Sequence, residues 1–362
     1  MSERAHNLHL SRRQLIQGSA AAGLAAAGLA GPHAASAEPA SSWAASPPGG
    51  FVPLNVPGKV VKVSAAGDLT ATMQPNQLFP KLEVARKLLE KAMMEFTGAA
   101  NLVAAMKKFI HPGDRVAIKV NGIGAQHGYS LGTNYELILP VVEAVIGVGV
   151  PAQNVVVYEQ YTGFLNGTRA NVGKWKLPDG VRADCHGTKI MGTPAIAIYQ
   201  GIRTKFCKIL TDSTAVIDIP LIKDHGICGY TGALKNMSHG NIDNPQSHHA
   251  HRASPQIALL YNQPVIRSRV RLHITDGFKM LYDGGPLDRN PRARILHGAV
   301  YVSTDPVALD VLGAKLVDEH RTRNRLPTLA AAKREPTYLR IAGELGLGIA
   351  DLNAIRLKSF EV

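Results

Sequence analysis

The stretch NYELILPVVEAVIGVGVPAQNVVVYEQ, residues 134–160, predicts a helix followed at once by a buried strand. Residues 134–149 have helical spacing with Pro140 among them, and the apolar run at 154–160 is typical of a strand covered on both faces. The strand DRVAIKV at 114–120 comes before them. Strand, helix and strand in this order predict an α/β fold with a mainly parallel or mixed sheet and helices on both faces.

The same alternation continues outward in both directions. We predict strands and helices over the following ranges: strand KVVKVSA from Lys59, helices 80–98 and 101–110, strands 214–220, 269–278 and 298–305, a helix from Pro306 capped by Asp305, helix 336–348 and strand 354–360. The stretch 161–212 holds short strand-like pieces and many turn residues, and it predicts no clear order. Together these elements indicate a single α/β domain over 59–362.

The beginning of the chain resembles a twin-arginine signal peptide over residues 1–37. Arg12 and Arg13 are adjacent, an Ala/Gly/Leu run follows, and Ala35–Ala37 is a small-residue cleavage site. The resemblance implies export of the folded protein by the twin-arginine machinery, cleavage near Ala37 and a periplasmic or secreted product. The run is too short to predict a stable membrane span, and the alternative is an uncleaved anchor or disordered tail. Residues 38–58 are rich in Pro, Gly, Ser and Ala and predict a linker.

Composition narrows the partners further. The chain has 362 residues, 45% of them hydrophobic, and a net charge of +13. A basic protein in an exported compartment favours small anionic molecules, and no nucleic-acid motif is present; the alternative is that the charge only aids solubility. With three cysteines and no C-x-x-C, the chain predicts no iron–sulfur cluster.

The stretch LIKDHGICGYTGALKNMSHGNIDNPQSHH, residues 221–249, follows the predicted strand at 214–220. Two ammonium groups and an amide, Lys223, Lys235 and Asn236, form a suitable clamp for carboxylate or phosphate. The alternative is that the lysines are solvated or paired with acids such as Asp218 and Asp243.

Other predicted strands also end in polar residues. Ligands bind at the carboxyl ends of strands in α/β sheets, so we expect these ends to converge. The predicted substrate-binding residues are Lys119, Asn121, Lys235, Asn236 and Asp276, and the predicted catalytic residues are His225, Lys223 and Glu159.

The same stretch has the composition of a metal site. We predict a transition metal ion of open identity, held by His225, His239 and either His248 or His249, with Glu159 or Asp276 as carboxylate. The histidine spacing matches no established ligand pattern, so an exposed histidine loop is the alternative.

A row of like charges begins at Arg267 and continues on one face of the strand at 269–278 through Arg269, Arg271 and His273, which alternate with apolar residues. Like charges on one face cost free energy unless acids or an anion lie opposite. We interpret the row as the solvated face of an edge strand.

Taken in order, several segments resemble the domain of unknown function 362 family over about residues 59–320. The matching positions are Lys119 and Asn121; Pro220, Lys223 and His225; Lys235, Asn236 and Gly240; Asp276 and Gly277; Gly285 and Pro286; and Asp305, Pro306, Ala308 and Asp310. Some members carry iron–sulfur segments, whose cysteines this chain lacks. The resemblance implies a map of positions and no reaction.

Two functions follow from these residues. The first is an exported enzyme that acts on a small anionic substrate with the help of a metal. The second is a non-catalytic periplasmic module that binds an anion or a metal. An enzyme needs a group that titrates near neutral pH beside an open coordination position, whereas a carrier can be closed and catalytically inert.

Overall fold

Ten strands form one mixed sheet in the computed structural model, which describes residues 43–126, 128 and 130–362. The predicted signal segment 1–37 lies outside the described residues. The strands are β1 (Lys59–Ser64), β2 (Val116–Lys119), β3 (Val155–Glu159), β4 (Arg182–Cys185), β5 (Ile196–Tyr199), β6 (Ile202–Thr204), β7 (Ala215–Asp218), β8 (Leu221–His225), β9 (Gly229–Thr231), β10 (Val270–Leu281), β11 (Arg294–Ser303) and β12 (Arg356–Glu361). The α-helices are α1 (Leu82–Thr97), α2 (Leu102–Met106), α3 (Tyr135–Val148), α4 (Thr162–Gly167), α5 (Lys208–Asp212), α6 (Ala233–His239), α7 (Gln256–Tyr261), α8 (Pro264–Arg267), α9 (Pro306–Arg323) and α10 (Tyr338–Glu344).

The large sheet has the strand order β12-β1-β11-β10-β7-β2-β3-β4, and β8 and β9 extend it beside β10. Strands β10, β7, β2, β3 and β4 are parallel to their neighbours in that order, whereas β11 is antiparallel to both β1 and β10. Strands β5 and β6 form a separate hairpin. The α/β fold with a mainly parallel or mixed sheet is therefore confirmed.

Helices cover both faces of this sheet because neighbouring side chains of a strand point to opposite sides. On β2, Ile118 packs into the core under α1, α2 and α3, while Ala117 packs into the core under α6, α7, α9 and α10. Pro140 is accommodated inside α3. Asp305 caps α9 with a 2.9 Å hydrogen bond from the Ala308 N–H, as predicted. No α-helix in the described part of the chain is both long and apolar enough to cross a membrane.

Strand β10 is long enough to pair with two successive strands on the same side. Its first half is parallel to β7 and its second half is parallel to β8. Ile219 and Pro220 connect β7 to β8 and belong to neither strand. The Ile219 N–H donates to the Lys119 carbonyl at 2.8 Å, and the Pro220 carbonyl accepts from the Asp276 N–H at 2.9 Å. The interruption between β7 and β8 therefore lies level with the end of β2, and β8 continues beyond that end.

Three members of the row of charges, Arg269, Arg271 and His273, are buried at or within β10, so the interpretation as a solvated edge strand is wrong. The fourth, Arg267, is exposed at the end of α8. Strand β10 is central, and Arg271 forms two hydrogen bonds to the Asp114 carboxylate at 2.7 and 3.0 Å. Arg269 donates to backbone carbonyls such as that of Ser213, at 2.9 Å. His273 lies 2.8 Å from Asp218. Acids and carbonyls opposite the row offset the repulsion between its members.

Residues 43–58, within the segment predicted as a linker, pack against the domain instead. The Trp43 carbonyl accepts from Arg269 at 2.7 Å, and the Ala45 N–H donates to the Ser268 hydroxyl at 2.9 Å. The Leu54 N–H donates to the carbonyl of Lys108 at 2.8 Å. These contacts tie the described part of that segment to the outside of the fold.

Candidate functional site

The candidate site lies where parallel strands β2, β3 and β7 end together. Lys119 of β2 is in register with Asp218 of β7 and Tyr158 of β3, which brings Lys119, Asp218 and Glu159 to one edge. Strand β8 continues past this edge and carries Lys223 and His225. The expected convergence is therefore seen for β2, β3 and β7, because these strands are parallel. It is not seen for Asp276, which lies within β10, or for β11, which is antiparallel to β10 and ends in the opposite direction.

Helix α6 supplies the remaining groups, and Asp310 of α9 fixes where it begins. The Asp310 carboxylate accepts from the N–H groups of Ala233 and Leu234 at 2.7 and 3.0 Å, which satisfies two donors of the first turn. Gly232 must lack a side chain, since its Cβ would lie 2.1 Å from the Asp310 carboxylate. One turn later, Lys235, Asn236 and His239 of α6 face the site from buried positions.

Four side chains form what we call the amide–lysine network: Lys119, Asn121, Lys223 and Asn236. The Asn236 Oδ1 accepts from Lys119 Nζ at 3.2 Å and from Asn121 Nδ2 at 3.0 Å. The Asn121 Oδ1 accepts from Lys223 Nζ at 2.7 Å. All four are at most 4% exposed. Three segments that are far apart in sequence, K-x-N, K-x-H and K-N, therefore meet through these hydrogen bonds.

Glu159 balances the charge of one lysine in this network. Its Oε1 lies 3.4 Å from Lys119 Nζ, and its carboxylate also accepts from the backbone N–H groups of Gly122, at 3.0 Å, and Gln160. Gly240 passes so close that a Cβ there would lie 2.8 Å from Lys119 Cε. Glu159 thus holds Lys119 and the turn after β2, and its oxygens are engaged.

Lys223 and Lys235 have no carboxylate within 4 Å among the residues that the structure describes. Asp218 bonds to Asn236 and His273, and Asp243 accepts from the Lys205 N–H at 3.0 Å, so the alternative, a pairing of the lysines with these acids, does not form. Desolvation by burial lowers the pKa of Lys223 to about 7 and also lowers the pKa of Lys235. The two ammonium groups are therefore buried without a counterion from this part of the chain.

The imidazole group, defined as His225, His239, His248 and His249, lies beside Lys235. The rings of His225 and His249 stack with centroids 5.6 Å apart, and those of His239 and His249 meet edge to face at 4.9 Å. Lys235 Nζ lies 3.3 Å from His249 Nε2. Three of the predicted histidines, His225, His239 and His249, are thus brought together around one ammonium group. His248 contacts the Thr204 hydroxyl instead, with its ring 6.3 Å from that of His239.

Burial keeps these imidazoles neutral. Desolvation, followed by the charge of Lys235, lowers the pKa of His225 to about 2 and that of His249 to about 4. The pKa of His239 is lowered well below its usual value by the same causes. Because His225 Nδ1 accepts from the N–H groups of Ile227 and Cys228 at 3.0 and 3.3 Å, its proton is on Nε2. His225 is therefore a hydrogen-bond donor and a weak base.

The lone pairs that a metal would need are largely engaged in hydrogen bonds. His225 Nδ1 accepts from backbone N–H groups, and His249 Nε2 faces the Lys235 ammonium. His239 Nδ1 lies 3.1 Å from the Ser238 hydroxyl. No group of three or more His, Cys, Asp or Glu within the described ranges is arranged to hold a metal ion. The donor set fits an anion better than a cation, and the metal ion stays a prediction.

Asp276 lies behind the site. Its carboxylate accepts from the backbone N–H of Asn134 at 2.7 Å and from the Asn134 side chain at 2.9 and 3.1 Å, at the start of α3. Asp224, between Lys223 and His225 on β8, similarly accepts from the Gly285 N–H at 2.7 Å and from Arg334 at 2.7 Å. These carboxylates hold loops and a helix end around the site.

The sequence did not reveal the residues that bond to Asp218, the carboxylate that accepts from Asn236 of the amide–lysine network. His273 and Tyr261 connect to it through Asp218, with 3.2 Å between the Tyr261 hydroxyl and His273 Nε2. In the sequence, the one available indication was that His273 is the last member of the row of charges. In the structure it lies in register with Asp218, at the carboxyl end of β7.

A family model described as Domain of unknown function (DUF362) matches residues 116–315, more than half of the chain. The matched range contains the amide–lysine network, the imidazole group and Asp310. A comparison with curated proteins finds no match.

Proposed function

The chain belongs to the domain of unknown function 362 family, and we propose that it binds a small anion between Lys223 and Lys235. The observation that carries the proposal is the burial of both ammonium groups without a carboxylate within 4 Å in the described part of the chain. An unpaired buried charge is costly, and an anionic ligand would remove that cost.

The donors left over suit a carboxylate or a phosphate-like group. Lys223 Nζ donates to Asn121 Oδ1 and to the Ile123 carbonyl, at 2.7 and 2.5 Å, which leaves one of its three N–H bonds. Lys235 Nζ has one bond, to His249, among the described residues. His225 adds its Nε2–H. Charge-assisted bonds from two ammonium groups and a neutral imidazole would favour an anion over a neutral ligand.

We further propose that the protein is an enzyme for that anion. A lysine with a pKa of about 7 can give or take a proton at neutral pH, which makes Lys223 the general acid–base candidate. His225 would donate a hydrogen bond to developing negative charge, because its low pKa keeps it neutral. Glu159 would act indirectly, because its carboxylate pairs with Lys119 and holds that side chain in place. The reaction, periplasmic export and a metal cofactor remain predictions, and elemental analysis of natively purified protein tests the last.

A non-catalytic anion-binding module is the alternative. It would use the same lysines as a closed clamp. Conversion of a bound carboxylate or phosphate ester by wild type would distinguish the enzyme from the carrier, provided that Lys223→Met abolishes it even at anion concentrations that saturate the weakened site.

The proposal is tested by calorimetric titration with sulfate and oxalate, neither of which titrates near neutral pH. Lys235→Ala should weaken binding by about 1.5–3 kcal/mol through loss of a charge-assisted hydrogen bond, with the fold intact. The matched control is Lys208→Ala, since Lys208 is an exposed lysine paired with Asp212. Equal affinity in Lys235→Ala and wild type, or no binding of either anion by wild type, would contradict the proposal.

A further inference from the structure

Asn236 has one orientation that fits its surroundings. Its Oδ1 faces two donors, Lys119 Nζ and Asn121 Nδ2, and its Nδ2 donates to Asp218 Oδ1 at 2.7 Å. A rotation of the amide by half a turn would set its NH₂ against an ammonium and another NH₂, and its oxygen against a carboxylate. The Asp218 carboxylate therefore selects the orientation of Asn236.

That orientation is passed on to Lys223. Because Asn121 Nδ2 is engaged by Asn236, Asn121 Oδ1 points the other way and accepts from Lys223 Nζ at 2.7 Å. The chain of contacts runs from Asp218 through two amides to the ammonium, and each of its members is at most 4% exposed. No water-exposed group is needed to complete it.

Asp218 differs in its partners from Asp305, another buried carboxylate of this fold. Asp305 accepts backbone N–H groups of Gly58, Ala308 and Ile349 at 2.8–2.9 Å, and so joins segments of the fold. The side-chain partners of Asp218 are Asn236 and His273, and within the described residues no lysine or arginine lies within 4 Å of it. His273 is held in turn by the Tyr261 hydroxyl at 3.2 Å. The contacts of Asp218 thus stabilise the amide–lysine network rather than the end of a helix or strand.

We propose that Asp218, oriented by His273, is a positioning residue for Lys223, and that it acts through Asn236 and Asn121. This inference rests on the proposed function, since it concerns how the ammonium is presented to the anion. Without Asp218, Asn236 can turn over, Asn121 can follow, and Lys223 loses its fixed side-chain acceptor.

The test uses Asp218→Val, which keeps a branched side chain suited to strand β7 but removes the acceptor. The readout is the side-chain amide NMR signal of Asn121, recorded without anion and assigned by its loss in Asn121→Ser. In wild type, these amide protons should exchange slowly with solvent. In Asp218→Val they should exchange at least about tenfold faster, because the hydrogen bond to Asn236 is no longer fixed.

Two further variants separate positioning from stability. Asp218→Asn can still offer an oxygen to Asn236 and should restore most of the slow exchange. Asp305→Val removes a buried carboxylate with only backbone partners, and should lower the melting temperature while leaving the Asn121 signals unchanged. Sulfate affinity should fall about tenfold in Asp218→Val and recover in Asp218→Asn.

Unchanged Asn121 exchange in a folded Asp218→Val protein would overturn the inference, as would an equal effect of Asp305→Val. If wild type shows the expected exchange but binds no anion, the proposed function fails while the positioning role stands. If Asp218→Val does not fold, the wild-type protein decides. The Asn236 side-chain amide must then exchange far more slowly than that of the exposed Asn353, and equal rates would overturn the inference.

Discussion

At the scale of the residue, Lys223 is the group on which the account depends. It is fully buried, and its ammonium is held by neutral oxygens of Asn121 and Ile123. Desolvation lowers its pKa to about 7, and nearby charges then act in both directions. Glu159 and Asp288 favour the ammonium, whereas Lys119 and Lys235 oppose it. Its charge is therefore adjustable near neutral pH.

Anion binding should weaken as the pH rises through about 7. Below this pH, Lys223 is protonated and attracts the anion, and above it the amine is neutral, so sulfate affinity should fall by up to about tenfold per pH unit. Titrations at several pH values measure this slope, and Lys223→Met should flatten it. A wild-type affinity that stays constant from slightly acid to slightly alkaline pH would contradict this role of Lys223.

The lowered pKa of Lys223 also affects the stability of the fold, which should increase as the pH rises, whereas the affinity for the anion decreases. The pKa of Lys223 is lower in the folded state than its usual value of 10.5, so the unfolded chain binds more protons between the two values. This residue therefore costs stability at low pH, and its cost decreases as the pH rises from about 7 towards 10.5. Bound anion should remove the cost by keeping the ammonium paired.

At the scale of the element, β10 shows where sequence patterns lose their meaning. Its alternation of charged and apolar residues resembles a half-exposed strand, yet the strand is central and the charges are paired inside. The sequence could not show this, because Asp114 lies 157 residues from Arg271 along the chain. In contrast, local signals such as the Asp305 cap and the apolar runs of β2, β3 and β7 predicted their elements well.

Arg271→Met should therefore destabilise the fold strongly and leave the site intact. The substitution would leave the fully buried Asp114 carboxylate without its arginine partner. Loss of one partner of a buried ion pair costs about 3–5 kcal/mol of stability. Urea unfolding measures this cost, and sulfate titration of the folded variant should match wild type. A loss below about 1 kcal/mol, as for an exposed charge, would show that the pair is not buried in solution.

The candidate site was only partly accessible from sequence for a similar reason. Lys119, Asn121, Lys223 and Asn236 could be grouped because parallel strands end at a common edge. The positions of Asp276 and the imidazoles depend on which donors lie opposite them, and those donors come from distant segments. Asp218 and His273 carried no motif that could reveal their role.

At the scale of the whole molecule, the fold and the export prediction are separate questions. The sheet and its covering helices begin near Lys59, and the twin-arginine segment lies outside the described residues. Replacing both Arg12 and Arg13 by lysine should retain the protein in the cytoplasm, because the paired guanidinium groups are what the export machinery reads. Fractionation and N-terminal sequencing of the exported protein, expected to begin near Glu38, provide the measurement. Normal export of the double variant would remove the assignment.

The central claim is that an anion lies between two buried ammonium groups at the carboxyl edge of the sheet. The most direct measurement is anomalous X-ray scattering from crystals soaked in selenate, which has the shape and charge of sulfate. We expect a selenium peak within hydrogen-bonding reach of both Lys223 Nζ and Lys235 Nζ, and we expect it to be absent from crystals of Lys235→Ala. Selenium peaks confined to surface arginines and lysines, with none at these two groups, would contradict it.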